Sequence, residues 1–299
     1  KEDIVLGNAL VDAYSKCEEL KMAQEVLDEL PCRDVVSWNA LIAGYAQQEQ
    51  GNYVLDCFER MQNEGLSPDA ITFISLLKAC SSRRDIDEGK QIHEEIVDTG
   101  FLNEDIVLGN TLVDMYAKCG VLLRAQQILE ELPSRNVVSW SSVISGYVQH
   151  GQGHEALKCY EQMLSEGLSP NEVTYIGVLN ACGSTRAIHK GTQIHEEIVS
   201  KDLLKKDISL ASALVSMYAK CGALVKAHSR FEEIRVRNVV SWNALITGYI
   251  RLGQDEEALS CFECMKNRCR IIPDACTFIC VLKACGTIGS ATKGRDVFT

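Results

Sequence analysis

This chain of 299 residues has a deficit of positive charge, few prolines and no long apolar run. No stretch approaches the roughly 18 to 20 apolar residues that a membrane-spanning helix requires, so we expect no membrane partner. The formal net charge of −11 excludes a broad basic face for nucleic acid, because such binding depends largely on contacts between cations and phosphates. Any nucleic-acid site must take its cations from a local stripe. The opening residues KEDIVLGN have no signal or transit character, and we expect any targeting segment to lie outside this chain.

The residue groupings of common enzymes are also missing. No glycine-rich phosphate loop, Ser/His/Asp grouping or pair of catalytic carboxylates stands outside the repeated pattern described below. Two H-x-E words, at His93 and His195, match a fragment of the zinc deaminase signature, but they recur 102 residues apart as scaffold residues do. Cys261 and Cys264 form a lone C-x-x-C, whereas a structural zinc site needs four converging ligands. We therefore expect no enzyme activity, no metal and no cofactor in these residues.

The repeated pattern is most visible in the words VVSWNALI, VVSWSSVI and VVSWNALI, which begin at Val35, Val137 and Val239. Their tryptophans, Trp38, Trp140 and Trp242, are each 102 residues apart. Self-similarity at a fixed period predicts a stacked array of equal units rather than ordinary globular domains. Each tryptophan precedes the fifth residue of its unit by one position, which on a helix turns it about 100° away, so we expect it in the core.

The fourteen cysteines mostly follow the same period. Equivalent positions of stacked units do not meet within a unit, so we expect reduced thiols that act as small buried apolar residues in an intracellular compartment. Three periodic columns carry this prediction: Cys17, Cys119 and Cys221; Cys57, Cys159 and Cys261; Cys80, Cys182 and Cys285.

The five prolines fall at the ends of shorter units, and Gly65 and Gly167 precede two of them in EGLSP. Proline cannot continue a helix, and glycine suits the left-handed residue that ends one. Within each unit, two apolar patterns at helical spacing are separated by a break, which predicts a pair of antiparallel helices of about 11 to 13 residues. The predicted borders are 4–34, 35–69, 70–105, 106–136, 137–171, 172–207, 208–238, 239–274 and a partial unit at 275–299.

A single helical hairpin cannot cover its own apolar face, so neighbouring hairpins must stack. The predicted fold is therefore all-α: an α-solenoid of antiparallel helix pairs that forms a superhelix, with the first helix of each unit on its concave surface.

Units of 31 to 36 residues with these words resemble pentatricopeptide repeats. VVSWNALIAGYAQ resembles the start of the P unit, ITFISLLKAC that of the longer L unit, and LGNTLVDMYAKCG that of the short S unit. The order S-P-L, S-P-L, S-P and a partial L resembles the PLS subclass of land-plant organellar RNA-editing factors. Arg235 departs from the pattern, because it stands where the S unit usually has proline.

The resemblance implies that each S or P unit reads one base of single-stranded RNA through its fifth and last residues, a mode known for helical repeat proteins. Three pairs should favour uracil: Asn8 with Asp34, Asn39 with Asp69, and Asn243 with Asp274. The pair Asn110 with Asn136 should favour a pyrimidine, and cytosine more than uracil. Two pairs should favour adenine: Ser141 with Asn171, and Ser212 with Asn238. The fifth residues of the L units, Ile74, Ile176 and Ile279, offer no hydrogen bond and are left unread. The implied footprint is 5′-UUnYAnAU-3′.

Two further sets of residues at repeated positions resemble functional residues of the pentatricopeptide repeat family. The second residues of the S and P units resemble those that sandwich bases, although packing between hairpins explains apolar residues equally well; they are Val5, Val36, Val107, Val138 and Val240. Lys16, Lys118 and Lys220 resemble residues that approach phosphates, and the alternative is a solvated lysine near a helix end.

The resemblance thus implies an RNA-binding specificity module for C-to-U editing in a mitochondrion or chloroplast, with a deaminase-type domain or partner protein outside this chain. The alternative is a tetratricopeptide-like scaffold for protein binding, which also has W-x-x-L near its start. Such a scaffold would place Lys, Arg and Asn in its first helices as a carboxylate clamp. The restriction of the fifth column to Asn or Ser, and of the last column to Asp or Asn, favours base reading.

Overall fold

The computed structural model describes residues 2–205, 207–234 and 236–289, and Arg235 and residues 290–299 lie outside that part. The described residues form seventeen α-helices and no β-strand. The chain divides into two compact units, one ending at Gly146 and one beginning at Tyr147. The predicted fold class, an all-α solenoid of helix pairs, is confirmed.

The first compact unit contains four hairpins and most of a ninth helix. Its helices are α1 (Glu2–Lys16), α2 (Leu20–Glu29), α3 (Val35–Gln47), α4 (Gly51–Asn63), α5 (Ala70–Arg83), α6 (Ile86–Thr99), α7 (Ile106–Lys118), α8 (Leu122–Glu131) and α9 (Val137–Gln149). A short 3₁₀ turn, Phe101–Asn103, follows α6. The first helices pack side by side, α1 on α3, α3 on α5 and α5 on α7, and each also packs on the second helix of its own hairpin.

The second compact unit begins within α9 and has the same construction. Its helices are α10 (Gly153–Ser165), α11 (Glu172–Thr185), α12 (Ile188–Ser200), α13 (Ile208–Lys220), α14 (Leu224–Glu233), α15 (Val239–Arg251), α16 (Asp255–Glu263) and α17 (Ala275–Ile288). A 3₁₀ turn, Leu203–Lys205, follows α12, and a π-helical turn, Cys264–Arg268, extends α16. Here α11 packs on α13, α13 on α15 and α15 on α17.

The ends of the helices have clear local causes. Eight of the first helices begin directly after an aspartate or asparagine whose side chain accepts a hydrogen bond from a backbone N–H of the first turn. Gly65 and Gly167, just past α4 and α10, adopt φ of 76° and 77°, the left-handed geometry that ends a helix. The capping Asp or Asn residues and the glycines that end the helices both recur in the sequence at a fixed period.

The core lies between the two helices of each hairpin and its neighbours. Trp38, Trp140 and Trp242 are only 0%, 1% and 3% exposed, which confirms their expected place in the core. Gly44 of α3 allows close approach, because a Cβ built there would lie 2.8 Å from the Ser15 side chain of α1. No helix in the described ranges is both long enough and apolar enough to cross a bilayer.

All fourteen cysteines are free thiols. Burial raises the pKa of Cys57, Cys80 and Cys182 to about 12, so these thiols stay neutral and unreactive near pH 7. Cys119, Cys221 and Cys261 are only half-buried, and the prediction of burial is wrong for Cys17, which is exposed. Its counterpart Cys221 lies 3.6 Å from the carbonyl oxygen of Cys182 on the preceding first helix, and α1 has no such neighbour among the described helices.

Candidate nucleic-acid interface

The fold brings the fifth residue of a unit to the last residue of the same unit, although 26 to 31 positions separate them. The contact forms because the last residue begins the next first helix, which packs beside the first helix that carries the fifth residue. In the following pairs the polar side-chain atoms lie within hydrogen-bonding distance of each other. The distances are 3.1 Å for Asn8 and Asp34, 2.9 Å for Asn39 and Asp69, 3.3 Å for Asn110 and Asn136, 3.4 Å for Ser212 and Asn238, and 3.0 Å for Asn243 and Asp274.

The last residue of each pair has a second role, because it caps the following first helix. Asp69, for example, accepts a hydrogen bond from the backbone N–H of Thr72, 2.9 Å away, and its own N–H donates to the Thr72 hydroxyl. Asp34, Asn136, Asn171, Asn238 and Asp274 cap their helices in the same way. Asp105 and Asp207 are also caps, although the units they end have an isoleucine at position five. The restriction of the last column to Asp and Asn therefore has a structural reason that is independent of any ligand.

These hydrogen bonds change the acidity of two caps. Partial burial acts to raise the pKa of Asp34, but hydrogen bonds from Ser37 and Asn8 outweigh it, so the pKa lies below its ordinary value of 3.8. For Asp274 the hydrogen bond from the Thr277 backbone is the main cause of a pKa below that value. Both side chains are therefore carboxylates at neutral pH, acting as acceptors only.

A third residue, which the sequence analysis missed, fixes the asparagines of two P units. The hydroxyl of Thr72 lies 2.7 Å from the amide oxygen of Asn39, and that of Thr277 lies 2.6 Å from the amide oxygen of Asn243. A hydroxyl has one proton, and the shorter contact identifies the amide oxygen as its acceptor rather than the neighbouring carboxylate. Both ends of these amides are thus bound. The signal in the sequence was the Ser or Thr three positions after each last residue.

In two S units the amide oxygen of the corresponding asparagine receives no such hydrogen bond. Their third partner is a serine, and the hydroxyl of Ser37 donates instead to the backbone oxygen of Asp34, 2.8 Å away. The amide oxygens of Asn8 and Asn110 are buried and have no hydrogen-bond partner within the described chain. A buried acceptor without a donor is unfavourable, so a ligand donor that reaches either oxygen gains free energy.

Several reading residues are more deeply buried than a free base-reading side chain on a groove would be. The exposed fractions of Asn39 and Asn110 are 7% and 8%, and those of Ser141 and Ser212 are 5% and 2%. Ser212 donates its single hydroxyl proton to the carbonyl oxygen of Ile208 at 2.8 Å, within its own helix, so its 3.4 Å approach to Asn238 is a close contact and not a second donated bond. They are small side chains between adjacent first helices, and a base edge can meet them only at the seam between those helices.

The second residues flank this seam and are far from buried. Val5, Val36, Val107, Val138 and Val240 are 50% to 70% exposed, so packing between hairpins does not account for them. Ile71 and Val173, the second residues of two L units, are similarly exposed. These unit borders thus place an apolar side chain in solvent, on the first turn of a helix and three positions before the fifth residue, whereas unit 208–238 has Ser209 at that position.

The three lysines are not equivalent. The first two form ion pairs with an aspartate one turn earlier: Lys16 with Asp12 at 2.6 Å and Lys118 with Asp114 at 2.8 Å. At the third site the residue one turn earlier is Ser216, and burial, assisted by the charge of Arg251, lowers the pKa of Lys220. Of these three lysines, Lys220 is the one without a carboxylate partner among the described residues.

The H-x-E histidines hold the scaffold together. His93 lies 3.0 Å from the hydroxyl of Tyr116, and His195 lies 2.9 Å from that of Tyr218, each on the next first helix. Burial lowers the pKa of both histidines, which keeps them neutral at pH 7. No group of three or more His, Cys, Asp or Glu residues that could hold a metal occurs in the ranges that the structure covers.

Stacked helical hairpins with paired polar residues at a regular set of junctions define a helical repeat protein. The sequence model of the PPR repeat family matches residues 33–82, 135–184 and 237–287, and that of the single PPR repeat matches residues 8–35, 71–101, 110–137 and 210–239. The chain belongs to the pentatricopeptide repeat family.

Related proteins and solved structures agree with that membership. A mitochondrial pentatricopeptide repeat-containing protein of Arabidopsis thaliana is 38% identical over 99% of this chain and 35% of its own length. A chloroplastic one from the same plant is 38% identical over 94% of this chain and 34% of its own length. The chain thus spans about a third of these relatives. The pentatricopeptide repeat protein PPR10, solved in complex with an 18-nucleotide psaJ RNA element, superposes with a TM-score of 0.81 at 20% identity, covering 97% of this chain and 44% of PPR10. That likeness shows the fold.

Proposed function

We propose that this chain binds single-stranded RNA and that each S or P unit reads one base, with the preferred sequence 5′-UUnYAnAU-3′. The observation that carries the proposal is the polar contact between the fifth and last residues of a unit, which an exposed valine flanks in the units of Asn8, Asn39, Asn110 and Asn243. Each pair places amide, hydroxyl or carboxylate groups at one station, and the valine offers an apolar surface to the face of a base. This suits unstacked bases read one per repeat. The RNA complex of PPR10 supports the same function for this chain.

The finer role follows from the order of the units. Their S-P-L order favours a specificity module for C-to-U editing, with the deaminase chemistry supplied by a domain or protein outside these residues. The mitochondrial and chloroplastic relatives support an organellar location. In this role the chain itself selects the RNA and does not catalyse the reaction.

A gel-shift titration at fixed salt tests the reading of bases. We expect the octamer to bind at least about tenfold more tightly than its scrambled version, because each good reading contributes on the order of 1 to 3 kcal/mol. Equal affinity for the two RNAs would refute base reading by these pairs.

A code exchange tests the assignment of a single station. The double change Ser141→Asn with Asn171→Asp should move the preference at the fifth base from adenine to uracil. Asp105→Asn is the matched control, since Asp105 is an N-cap that ends a unit whose fifth residue is Ile74. The control should leave every base preference unchanged.

A further inference from the structure

The three P units share a tryptophan at position four, but its surroundings differ between the first and the third. In the first unit a single carboxylate bridges two donors. The indole N–H of Trp38 donates to one oxygen of Glu64 at 3.0 Å, and Arg33 pairs with the other oxygen at 2.8 Å. Arg60 covers the indole ring, with its guanidinium carbon 5.1 Å from the ring centre.

The third P unit keeps both donors and lacks the carboxylate. Trp242 and Arg237 occupy the positions of Trp38 and Arg33, whereas Arg268 replaces Glu64 when the second helices are counted from their starts. The extra residue of this unit is accommodated by the π-helical turn Cys264–Arg268. Counting backward from the left-handed residue that ends the helix, which is Arg270 with φ of 52°, places Cys269 opposite Glu64 instead. Neither comparison supplies an acidic side chain.

Neither donor has a carboxylate acceptor among the described residues. The indole N–H of Trp242 is buried and has no hydrogen-bond partner in the part of the chain that the structure describes, and the residue is only 3% exposed. Arg237 donates to the carbonyl oxygens of Phe231 and Glu232, each at 3.3 Å, and pairs with no carboxylate of the described residues. A buried N–H without an acceptor is costly, so a ligand that supplies an acceptor here gains free energy.

Space for a ligand is present at the same place. Cys264 stands where Arg60 covers the ring in the first unit, and the shorter side chain leaves a cavity of about 380 Å³ lined by residues of α14, α15, α16 and the π-helical turn. Trp242, Arg237 and Arg268 line this cavity. Such a volume holds a small organic acid or an acidic side chain.

Of the arginines and glutamates that line the cavity, Arg237 is the least exposed. Two arginines line it, and burial raises the pKa of Cys261 in its wall to about 11, so that thiol is neutral at pH 7. Glu232 and Glu263 also line it and, like Arg268, are exposed to solvent, so water screens all three charges, whereas Arg237 is half-buried. Glu232 in addition lies 3.4 Å from the imidazole of His228.

We infer that the cavity bounded by Trp242, Arg237 and Arg268 binds a carboxylate, which takes the place that Glu64 fills in the first P unit. One carboxylate oxygen accepts from the indole N–H and the other pairs with the Arg237 guanidinium, as Glu64 does with Trp38 and Arg33. This site is separate from the paired reading residues and does not depend on RNA binding.

The test follows the indole N–H resonances of the isotopically labelled chain during titration with glutarate, with an acetylated and amidated Ala-Glu-Ala peptide, and with inorganic phosphate. We expect the Trp242 resonance to shift saturably with glutarate in the range of about 1 to 10 mM, while that of Trp38, whose acceptor is in place, stays fixed. A response to the peptide as well identifies the side chain of a protein partner as a source, and a response to glutarate alone identifies a free acid. Either result supports the site.

Two variants separate binding from folding. Arg268→Glu should supply the missing carboxylate from within the chain, abolish the response to glutarate and raise the midpoint of thermal unfolding. Trp242→Phe keeps the ring and removes the donor, and calorimetry should show at least about a tenfold loss of affinity for glutarate. No shift with glutarate or the peptide, a response to phosphate alone, or an unchanged response in Arg268→Glu would overturn the inference.

Discussion

The double role of Asp69 allows stability and base reading to be separated at one residue. Its Oδ1 atom accepts from the backbone N–H of Thr72 and from the amide of Asn39, both at 2.9 Å. Replacing Asp69 by alanine removes the helix cap, which costs about 1 kcal/mol of unfolding free energy. It also leaves the amide of Asn39, a residue only 7% exposed, without its acceptor, which costs about 1 to 3 kcal/mol more. We expect Asp69→Ala to lose about 2 to 4 kcal/mol.

Asp69→Asn keeps an oxygen in the same place. Asn171 and Asn238 cap α11 and α15 in this manner, so we expect a loss of about 1 kcal/mol or less. The change also makes the pair in this unit identical to that of Asn110 and Asn136, so the preference at the second base should move from uracil to a pyrimidine with cytosine ahead.

Urea titrations followed by circular dichroism measure the loss of unfolding free energy. Gel shifts with octamers that carry U or C at the second base measure the change in base preference. Asp105→Ala is the control, because it removes a cap without leaving an amide unpaired and should cost only about 1 kcal/mol. If Asp69→Asn were as destabilising as Asp69→Ala, the hydrogen-bond argument would be refuted. If Asp69→Asn left the preference for uracil unchanged, this pair would not read the base.

Three further predictions concern acidity, phosphates and base stacking. Burial acts to raise the pKa of Asp34, but hydrogen bonds lower it overall. The ionised carboxylate therefore stabilises the fold fully above its ordinary pKa of 3.8, and this contribution is lost as the pH falls through the lowered value. Asp34→Asn should reduce the pH dependence of the unfolding free energy, measured by urea titrations between about pH 2.5 and 6. Lys220→Ala should reduce the salt dependence of RNA binding by more than Lys16→Ala, whose ammonium already has a carboxylate partner; equal slopes would contradict this. Val36→Ala should weaken RNA binding by about 1 kcal/mol, whereas Val97→Ala, equally exposed on a second helix, should have no effect on binding measured by gel shift.

The sequence by itself determined the construction of the hairpins. Pro, Gly, Asp and Asn recur at a fixed period as signals that end or begin a helix. Their effect is local, because each acts through its own backbone and its nearest neighbours in the sequence. The burial of Trp38, Trp140 and Trp242 could be predicted for a similar reason, because helical periodicity determines which side chains share a face. A capping pattern of Asp or Asn followed three positions later by Ser or Thr was visible too, but its link to the fifth residue was not.

Only the tertiary structure decided which of these residues meet. The pairing of Asn39 with Asp69 spans 30 positions, and it depends on how one first helix packs against the next. The same packing leaves the amide oxygen of Asn8 unpaired while Thr72 binds that of Asn39. The indole N–H of Trp242 is buried without an acceptor among the described residues, whereas that of Trp38 donates to Glu64. Hydrogen bonds depend on distances of tenths of an ångström, which a repeat period does not specify.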